Sequence, residues 1–290
     1  MADKHDKHVD EISGVETTGH EWDGIRELNN PMPRWWVWTF YATIVWAIGY
    51  TVFYPAWPLL NDATRGILNY SSRGDLADEM EGARIAQGGI MEKISKVTLE
   101  EILADPQLAQ FATAGGASAF RVNCVQCHGT GAAGGQGYPN LNDDEWLWGG
   151  DINAIYQTIA HGVRDSVDPD TRYSEMPAFM DMLQPQEVRQ VAAYVVSLSG
   201  TPRDASMIEP GKQLYADNCA SCHGENGEGM REFGAPNLAD AIWLKVEGEA
   251  EIAQQIQAPR HGVMPAWSTR LSNETVKQLA VYVHSLGGGE

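Results

Sequence analysis

The sequence has few cysteines and few basic residues. All four cysteines lie in two short motifs, which fits the oxidising side of a membrane, where a spare thiol would risk wrong pairing. Lysine and arginine number 20 against 39 aspartate and glutamate residues, giving a net charge of −19. This balance argues against nucleic acid as a partner, since phosphate binding needs a basic surface. No carboxylate pair, nucleophile–base arrangement or phosphate-binding loop stands out, so no catalytic centre is predicted.

The two cysteine motifs share the pattern Cys-x-x-Cys-His, at residues 124–128 and 219–223. It is the attachment signature of c-type haem, because two thiols on one helical turn reach both vinyl groups of one porphyrin. A zinc ribbon separates its cysteine pairs by roughly 15–20 residues, whereas 91 residues lie between Cys127 and Cys219. A redox dithiol has no need of the histidine. The motifs therefore predict two covalently bound haem c groups. Their attachment points are Cys124, Cys127, Cys219 and Cys222.

An internal duplication runs through the same region. From two Met-Pro pairs onward the copies keep a fixed register, so that Met176 matches Met264 and Tyr194 matches Tyr282. The first copy has about twelve extra residues before its methionine, around positions 165–174. Such register indicates that one unit was duplicated.

The order of elements in each copy resembles the class I cytochrome c fold. A helix with the haem motif opens each unit, and an apolar-periodic helix closes it. The predicted fold class is mainly α, with one N-terminal transmembrane helix followed by two tandem class I cytochrome c-like domains. The predicted parts are a cytoplasmic N-terminal segment (1–34), the transmembrane helix (35–58), a periplasmic connector (59–110), the first cytochrome c domain (111–200) and the second (201–290).

Each haem iron needs an axial ligand on both faces, and the motif histidines His128 and His223 supply one each. Methionine opposite histidine raises the reduction potential and suits electron transfer. Met176 and Met264 are the predicted partners, since both precede a proline that stiffens the loop. Ligation within each unit is the simplest expectation, and an exchange of the two methionines stays open.

Other methionines and histidines lie near these ligands. Met180 and Met182 compete locally with Met176, whereas Met230 lies too close to the second motif to reach the distal face. His161 and His261 are open to two roles, as distal ligands or as partners of the haem propionates. The arginines beside these two histidines favour the propionate or a surface role.

A run of 27 residues without a charge covers positions 35–61. About 20 apolar residues span a bilayer as a helix, and tryptophan and tyrosine gather at both ends of this run, as at membrane interfaces. It starts too late and is too long for the h-region of a signal peptide, which has about 7–15 residues. An uncleaved transmembrane helix is predicted, preceded by a largely disordered segment, 1–34, with four basic and eight acidic residues.

The orientation of this helix follows from the haem motifs. Arg26 and Arg34 before the run balance Arg65 and Arg73 after it, so the positive-inside rule decides nothing. Haem is attached outside the cytoplasm, which leaves the N-terminus inside.

The acidic stretch 62–118 reads as a connector. A weak amphipathic pattern covers 75–94, and a short helix capped by Thr98 follows. A spacer is favoured over a docking helix for a partner subunit.

Several stretches resemble one known family. Residues 23–36 ahead of the run, 54–58 after it, 146–150 and the two haem units are similar to the CcoP/FixP family, the membrane-anchored dihaem subunits of cbb3-type cytochrome c oxidase of the bacterial inner membrane. The resemblance implies that the chain accepts electrons from a donor cytochrome c. It would pass them through a monohaem subunit to the catalytic haem–copper subunit, which reduces oxygen to water and pumps protons.

Other functions stay open on the residues alone. A stand-alone anchored dihaem shuttle or an electron-accepting subunit of a dehydrogenase would carry the same motifs. A dihaem peroxidase or gas sensor would need an open iron site, against which two Met-Pro pairs argue. Residues 119–290 carry 11 basic and 22 acidic side chains, a net of −11, which predicts electrostatic attraction of a basic donor cytochrome.

Overall fold

The computed structural model describes residues 8–290. The chain divides into two compact units, Met1–Ala86 and Gln87–Glu290. Within the described residues, helices predominate and one small sheet is present. The expected mainly helical fold is therefore confirmed.

The N-terminal segment contains a β-hairpin. Strand β1 (Thr17–Trp22) pairs antiparallel with β2 (Ile25–Leu28). The two turn residues, Asp23 and Gly24, have φ values of 51° and 85°, as a two-residue type I′ turn requires. The prediction of disorder is wrong for this stretch, because local turn chemistry outweighs its charged composition. Residues 1–7 of that prediction lie outside the described part.

Helix α1 (Arg34–Phe53) coincides with the uncharged run. Its 20 residues are long and apolar enough to cross a membrane, and none is buried in the structure. The helix ends before Pro55, since a residue that precedes proline is disfavoured in the helical region and Tyr54 is extended.

Two helices follow in the predicted connector, α2 (Ser72–Lys96) and α3 (Leu99–Ala104). Thr98 caps α3 and forms a reciprocal capping box with Glu101, which confirms the predicted helix start. Ile94 and Ile102 are completely buried in the core of the second unit. The end of the connector is thus part of a folded core rather than a spacer.

The second unit contains eight further α-helices. They are α4 (Pro106–Asn123), α5 (Val125–His128), α6 (Ile152–His161), α7 (Pro185–Ser199), α8 (Ile208–Asn218), α9 (Ala220–His223), α10 (Glu249–Gln257) and α11 (Asn273–His284). A 3-10 turn, Ala205–Met207, lies just before α8.

These helices form two apolar cores that exchange their last helices between the sequence copies. In core 1, α4 and α6 pack against α11; in core 2, α8 packs against α7, which also contacts α10. The simplest expectation, that each copy folds on itself, is not what the structure shows. A short connection joins α7 to the 3-10 turn before α8, and helices joined by short connections pack together. Helix α11 then covers α4. The boundaries 111–200 and 201–290 stay a prediction for the duplicated sequence units.

Equivalent aromatic pairs mark the two helix crossings. The rings of Phe120 on α4 and Tyr282 on α11 have centroids 5.4 Å apart. Those of Tyr215 on α8 and Tyr194 on α7 have centroids 5.1 Å apart. Each pair therefore joins the opening helix of one copy to the closing helix of the other.

Candidate haem-binding sites

Each Cys-x-x-Cys-His motif forms a single helical turn after a longer helix. Cys124 ends α4, and its carbonyl oxygen accepts hydrogen bonds from the backbone N–H groups of Cys127 at 3.2 Å and His128 at 3.0 Å. The second motif repeats this arrangement, with N···O distances of 3.1 and 3.0 Å to the Cys219 carbonyl. Both thiols of a motif thus lie on one turn, as attachment to one porphyrin requires.

The motif histidines are held by backbone carbonyls. Nδ1 of His128 lies 3.1 Å from the carbonyl oxygen of Pro139, and Nδ1 of His223 lies 3.1 Å from that of Pro236. A carbonyl only accepts, so Nδ1 carries the proton and Nε2 has a free lone pair. Burial lowers the pKa of both imidazoles, although the carbonyl bonds oppose this shift. Both rings are therefore neutral at pH 7 and suited to bind iron through Nε2.

The first cysteine of each motif is partly or fully buried. Burial, with a smaller effect of the second cysteine, raises the pKa of Cys124 and of Cys219 to about 11. The second cysteines, Cys127 and Cys222, are exposed. Burial therefore disfavours the thiolate form of the first cysteine, which is the form that binds zinc.

The two predicted methionines lie in different cores. Met264 is half-buried and packs against core 1, to which Cys124 and Val125 also belong. Met176 packs against core 2, together with Cys219 and Ala220. Each methionine thus shares a core with the haem motif of the other sequence copy. This exchange has no signal in the sequence, because both copies contain every element.

The local competitors of Met176 are exposed. Met180 keeps 61% of its surface accessible and Met182 keeps 56%, and neither belongs to the core. Of these three methionines, Met176 is thus the one that packs against the core of the second motif.

The two other histidines considered as ligands, and several repeated polar and aromatic residues, have structural partners or face solvent. Nδ1 of His161 lies 3.1 Å from the carboxylate of Asp168, and His261 is exposed. Oδ1 of Asn140 accepts the N–H of Asn142, which fixes the loop locally. The equivalent Asn237 accepts the N–H of Ala239. The indoles of Trp146 and Trp243 pack against core 1 and core 2, respectively.

The donor sets fit haem c. In each core, the first thiol of one motif and one methionine thioether pack against the same cluster of buried residues. The second thiol and the neutral imidazole of that motif follow on the same helical turn. A c-type cytochrome uses groups of these kinds to attach the porphyrin and ligate its iron. The carbonyls of Pro139 and Pro236, which orient the two imidazoles, are not among the residues predicted from the sequence. A signal was available, since Pro-Asn-Leu follows each histidine at a similar spacing.

Comparisons with known proteins agree with these sites. The model of the N-terminal domain of cytochrome oxidase-cbb3, FixP, matches residues 14–61. The model of cytochrome c oxidase, cbb3-type, subunit III, matches residues 111–195 and 206–283. These are cytochrome c domains, and their two cysteine pairs are consistent with haem c binding.

Full-length relatives extend this likeness to the whole chain. The cbb3-type cytochrome c oxidase subunit FixP of Rhizobium meliloti (strain 1021) is 66% identical over 290 residues, which cover all of both chains. The subunit CcoP of Cereibacter sphaeroides (strain ATCC 17023) is 53% identical over 276 residues, 94% of this chain and 95% of the relative. The chain therefore belongs to the FixP/CcoP family, the membrane-anchored cytochrome c subunits that transfer electrons within cbb3-type cytochrome c oxidase.

Proposed function

We propose that the chain holds two covalently bound haem c groups with exchanged methionine ligands. Cys124 and Cys127 attach the first haem, whose axial ligands are His128 and Met264. The second haem is bound in the same way. Its residues are Cys219, Cys222, His223 and Met176. The observation that carries this proposal is that Met264 packs against the same core as Cys124, whereas Met176 packs against the core that contains Cys219.

Bound haem supplies an iron that takes up and releases one electron. The chain's residues set its environment: the carbonyls of Pro139 and Pro236 hold the imidazoles in the tautomer that ligates through Nε2. The thioethers of Met176 and Met264 stabilise the reduced iron and raise the potential. The apolar cores exclude water, so that oxidation and reduction need little rearrangement.

The electron route extends to other subunits. The chain accepts electrons from a donor cytochrome c and passes them through a monohaem subunit to the catalytic haem–copper subunit. Helix α1 lies in the lipid bilayer, with the N-terminus in the cytoplasm and the haem domains in the periplasm. Attachment of haem outside the cytoplasm supports this orientation, as does family membership.

An optical label distinguishes the two haems in the intact oxidase. Cys124→Ala leaves one vinyl group of the first haem conjugated with the porphyrin, which shifts the α-band of that haem to longer wavelength. Met264→Ala or Met176→Ala is then added, and carbon monoxide is supplied to the reduced protein. The exchanged ligation predicts that Met264→Ala opens the labelled haem to carbon monoxide and Met176→Ala opens the unlabelled one.

The opposite pattern would show ligation within each sequence copy. If neither haem binds carbon monoxide in either variant, the two methionines are not ligands of the haem iron. Haem content per chain, measured on the same samples, checks that both groups are attached.

A further inference from the structure

The extra residues of the first copy lie where the chain passes between the two cores. We propose that Arg164 and Asp165, at the start of this insertion, are positioning residues that hold the two methionine segments in place. This inference rests on the proposed ligation by Met176 and Met264. It assigns a role to an insertion that the second copy lacks.

The guanidinium group of Arg164 joins the two methionine segments directly. Its Nε donates to the carbonyl oxygen of Gly262 at 2.6 Å, and its Nη1 donates to that of Ser174 at 2.8 Å. Gly262 lies two residues before Met264, and Ser174 lies two residues before Met176. The planar, rigid fork of arginine fixes the geometry of both bonds. One side chain therefore holds the approach to both methionines.

The carboxylate of Asp165 holds the other side of Met264. Oδ2 accepts the N–H of Ala266 at 3.1 Å, two residues after the methionine. Oδ1 accepts the N–H groups of Val167 at 2.8 Å and Asp168 at 3.0 Å, which closes the turn of the insertion itself. The two oxygens thus tie the insertion of the first copy to the methionine loop of the second.

The backbone completes the attachment of the Met264 segment. Val163 and Met264 exchange two hydrogen bonds, with N···O distances of 2.9 and 3.0 Å. The Met264 segment is therefore held at three points: at the backbone of Met264 itself, at Gly262 and at Ala266. Arg164 also holds the Met176 segment, whereas the described contacts of Asp165 are to its own loop and to Ala266. Asp165 should thus act on one haem and Arg164 on both.

Asp165→Asn tests the contact with Ala266. The amide oxygen of asparagine still closes the turn through Val167 and Asp168, but its NH₂ group then faces the Ala266 N–H, donor against donor. Carbon monoxide displaces a loosely held methionine more readily. We expect the carbon monoxide affinity of the haem labelled by Cys124→Ala to rise about tenfold, the size of effect for one hydrogen bond to a charged group. The carbon monoxide affinity of the unlabelled haem should not change.

Asp168→Asn is the matched control. It makes the same chemical change three residues away in the same insertion, and the contacts of Asp168 are with His161 and the Asp170 N–H rather than the methionine loop. It should leave the carbon monoxide affinity of both haems as in the parent. Asp165→Glu keeps a carboxylate acceptor, so the carbon monoxide affinity of the labelled haem should rise less than in Asp165→Asn.

Arg164→Lys tests the bridge without changing the charge. Lysine lacks the rigid fork, so we expect both haems to bind carbon monoxide more tightly. Arg164→Gln should have the same effect and should also lower the reduction potentials of both haems, because a cation is removed. If Arg164→Lys matches the parent while Arg164→Gln lowers both potentials, Arg164 acts through its charge alone and its positioning role is wrong.

Met264→Ala in the same labelled protein separates this inference from the proposed ligation. If Met264→Ala opens the labelled haem but Asp165→Asn does not change its affinity, ligation stands and the role of Asp165 is refuted. If Met264→Ala opens neither haem, the proposed ligation is refuted first. If Asp165→Asn yields no haem-loaded protein, Asp165→Glu and Arg164→Lys are measured in the same way. Carbon monoxide affinities equal to those of the parent in both variants would overturn the proposal.

Discussion

Gly116 of α4 lies directly against the backbone of Gln278 on α11. A β-carbon at Gly116 would overlap the carbonyl oxygen of Gln278, and the equivalent Gly211 of α8 meets Gln190 of α7 in the same way. Both glycines stand four residues before the aromatic residue of their crossing, Phe120 or Tyr215. Close approach of two helix backbones at a glycine therefore fixes each exchanged helix pair.

Gly116→Ala should destabilise the second unit. The new methyl group meets backbone rather than a movable side chain, and overpacking of this kind costs about 1–3 kcal/mol. The free energy of unfolding of the haem-loaded protein, from denaturant titration, measures this loss. Gly88→Ala on α2 is the control: no atom lies within 4 Å of the position that its methyl group would take, and alanine there should stabilise the helix by up to about 1 kcal/mol. Equal effects of the two substitutions would contradict close packing at Gly116.

A double-mutant cycle tests the exchange of helices in solution. Phe120 contacts Tyr282 of the other copy, and such aromatic pairs contribute about 0.5–1.5 kcal/mol beyond their buried area. Phe120→Leu and Tyr282→Leu should therefore couple by that amount, while Phe120→Leu and Tyr194→Leu should be additive. Coupling of Phe120 with Tyr194 instead would mean that each copy folds on itself.

The haem motifs can be recognised in the sequence because their pattern is local, with two thiols and a histidine on one helical turn. Ligation by the methionines of the two Met-Pro pairs stays a prediction. The start of α3 was equally readable, since Thr98 and Glu101 form a local capping box. Each of these features depends on residues a few positions apart.

The exchange of helices was not readable because it depends on long-range packing. Both copies contain an equivalent opening helix and closing helix, so Tyr282 and Tyr194 are equally good partners for Phe120 by composition. The short connection after α7 decides between them, by placing α7 beside α8. The N-terminal hairpin differs from the predicted disorder for another reason, since the local Asp23–Gly24 turn outweighs the charged composition of the segment.

Lys277 should anchor the end of α2 to core 1. Its Nζ, on α11, donates to the carbonyl oxygens of Ile94 at 3.0 Å, Ser95 at 3.2 Å and Val97 at 2.6 Å. A cation at a helix C-terminus pairs with unsatisfied carbonyls and with the helix dipole. Lys277→Met should lower the free energy of unfolding by about 1–3 kcal/mol, with Lys277→Arg losing less.

Hydrogen exchange locates the loss caused by Lys277→Met. The amides near the end of α2 should lose protection first, because the carbonyl oxygens of Ile94, Ser95 and Val97 lose the donor that holds this helix end. Lys212→Met, on an exposed position of α8, removes the same charge without such contacts and serves as the control. Unchanged protection at residues 90–97 in Lys277→Met would show that the cation does not hold this helix end.

Association with a basic donor cytochrome should slow as salt is added. Residues 119–290 carry a net charge of −11, and opposite charges steer two proteins together at low ionic strength. The Debye length falls from about 30 Å at 0.01 M salt to about 10 Å at 0.1 M, so stopped-flow rates of electron transfer into the intact oxidase should fall across this range. An acidic donor cytochrome is the control, and its rate should rise over the same range because repulsion is screened. A rate for the basic donor that does not depend on salt would mean that the acidic surface does not steer it, and that apolar contacts alone set the encounter.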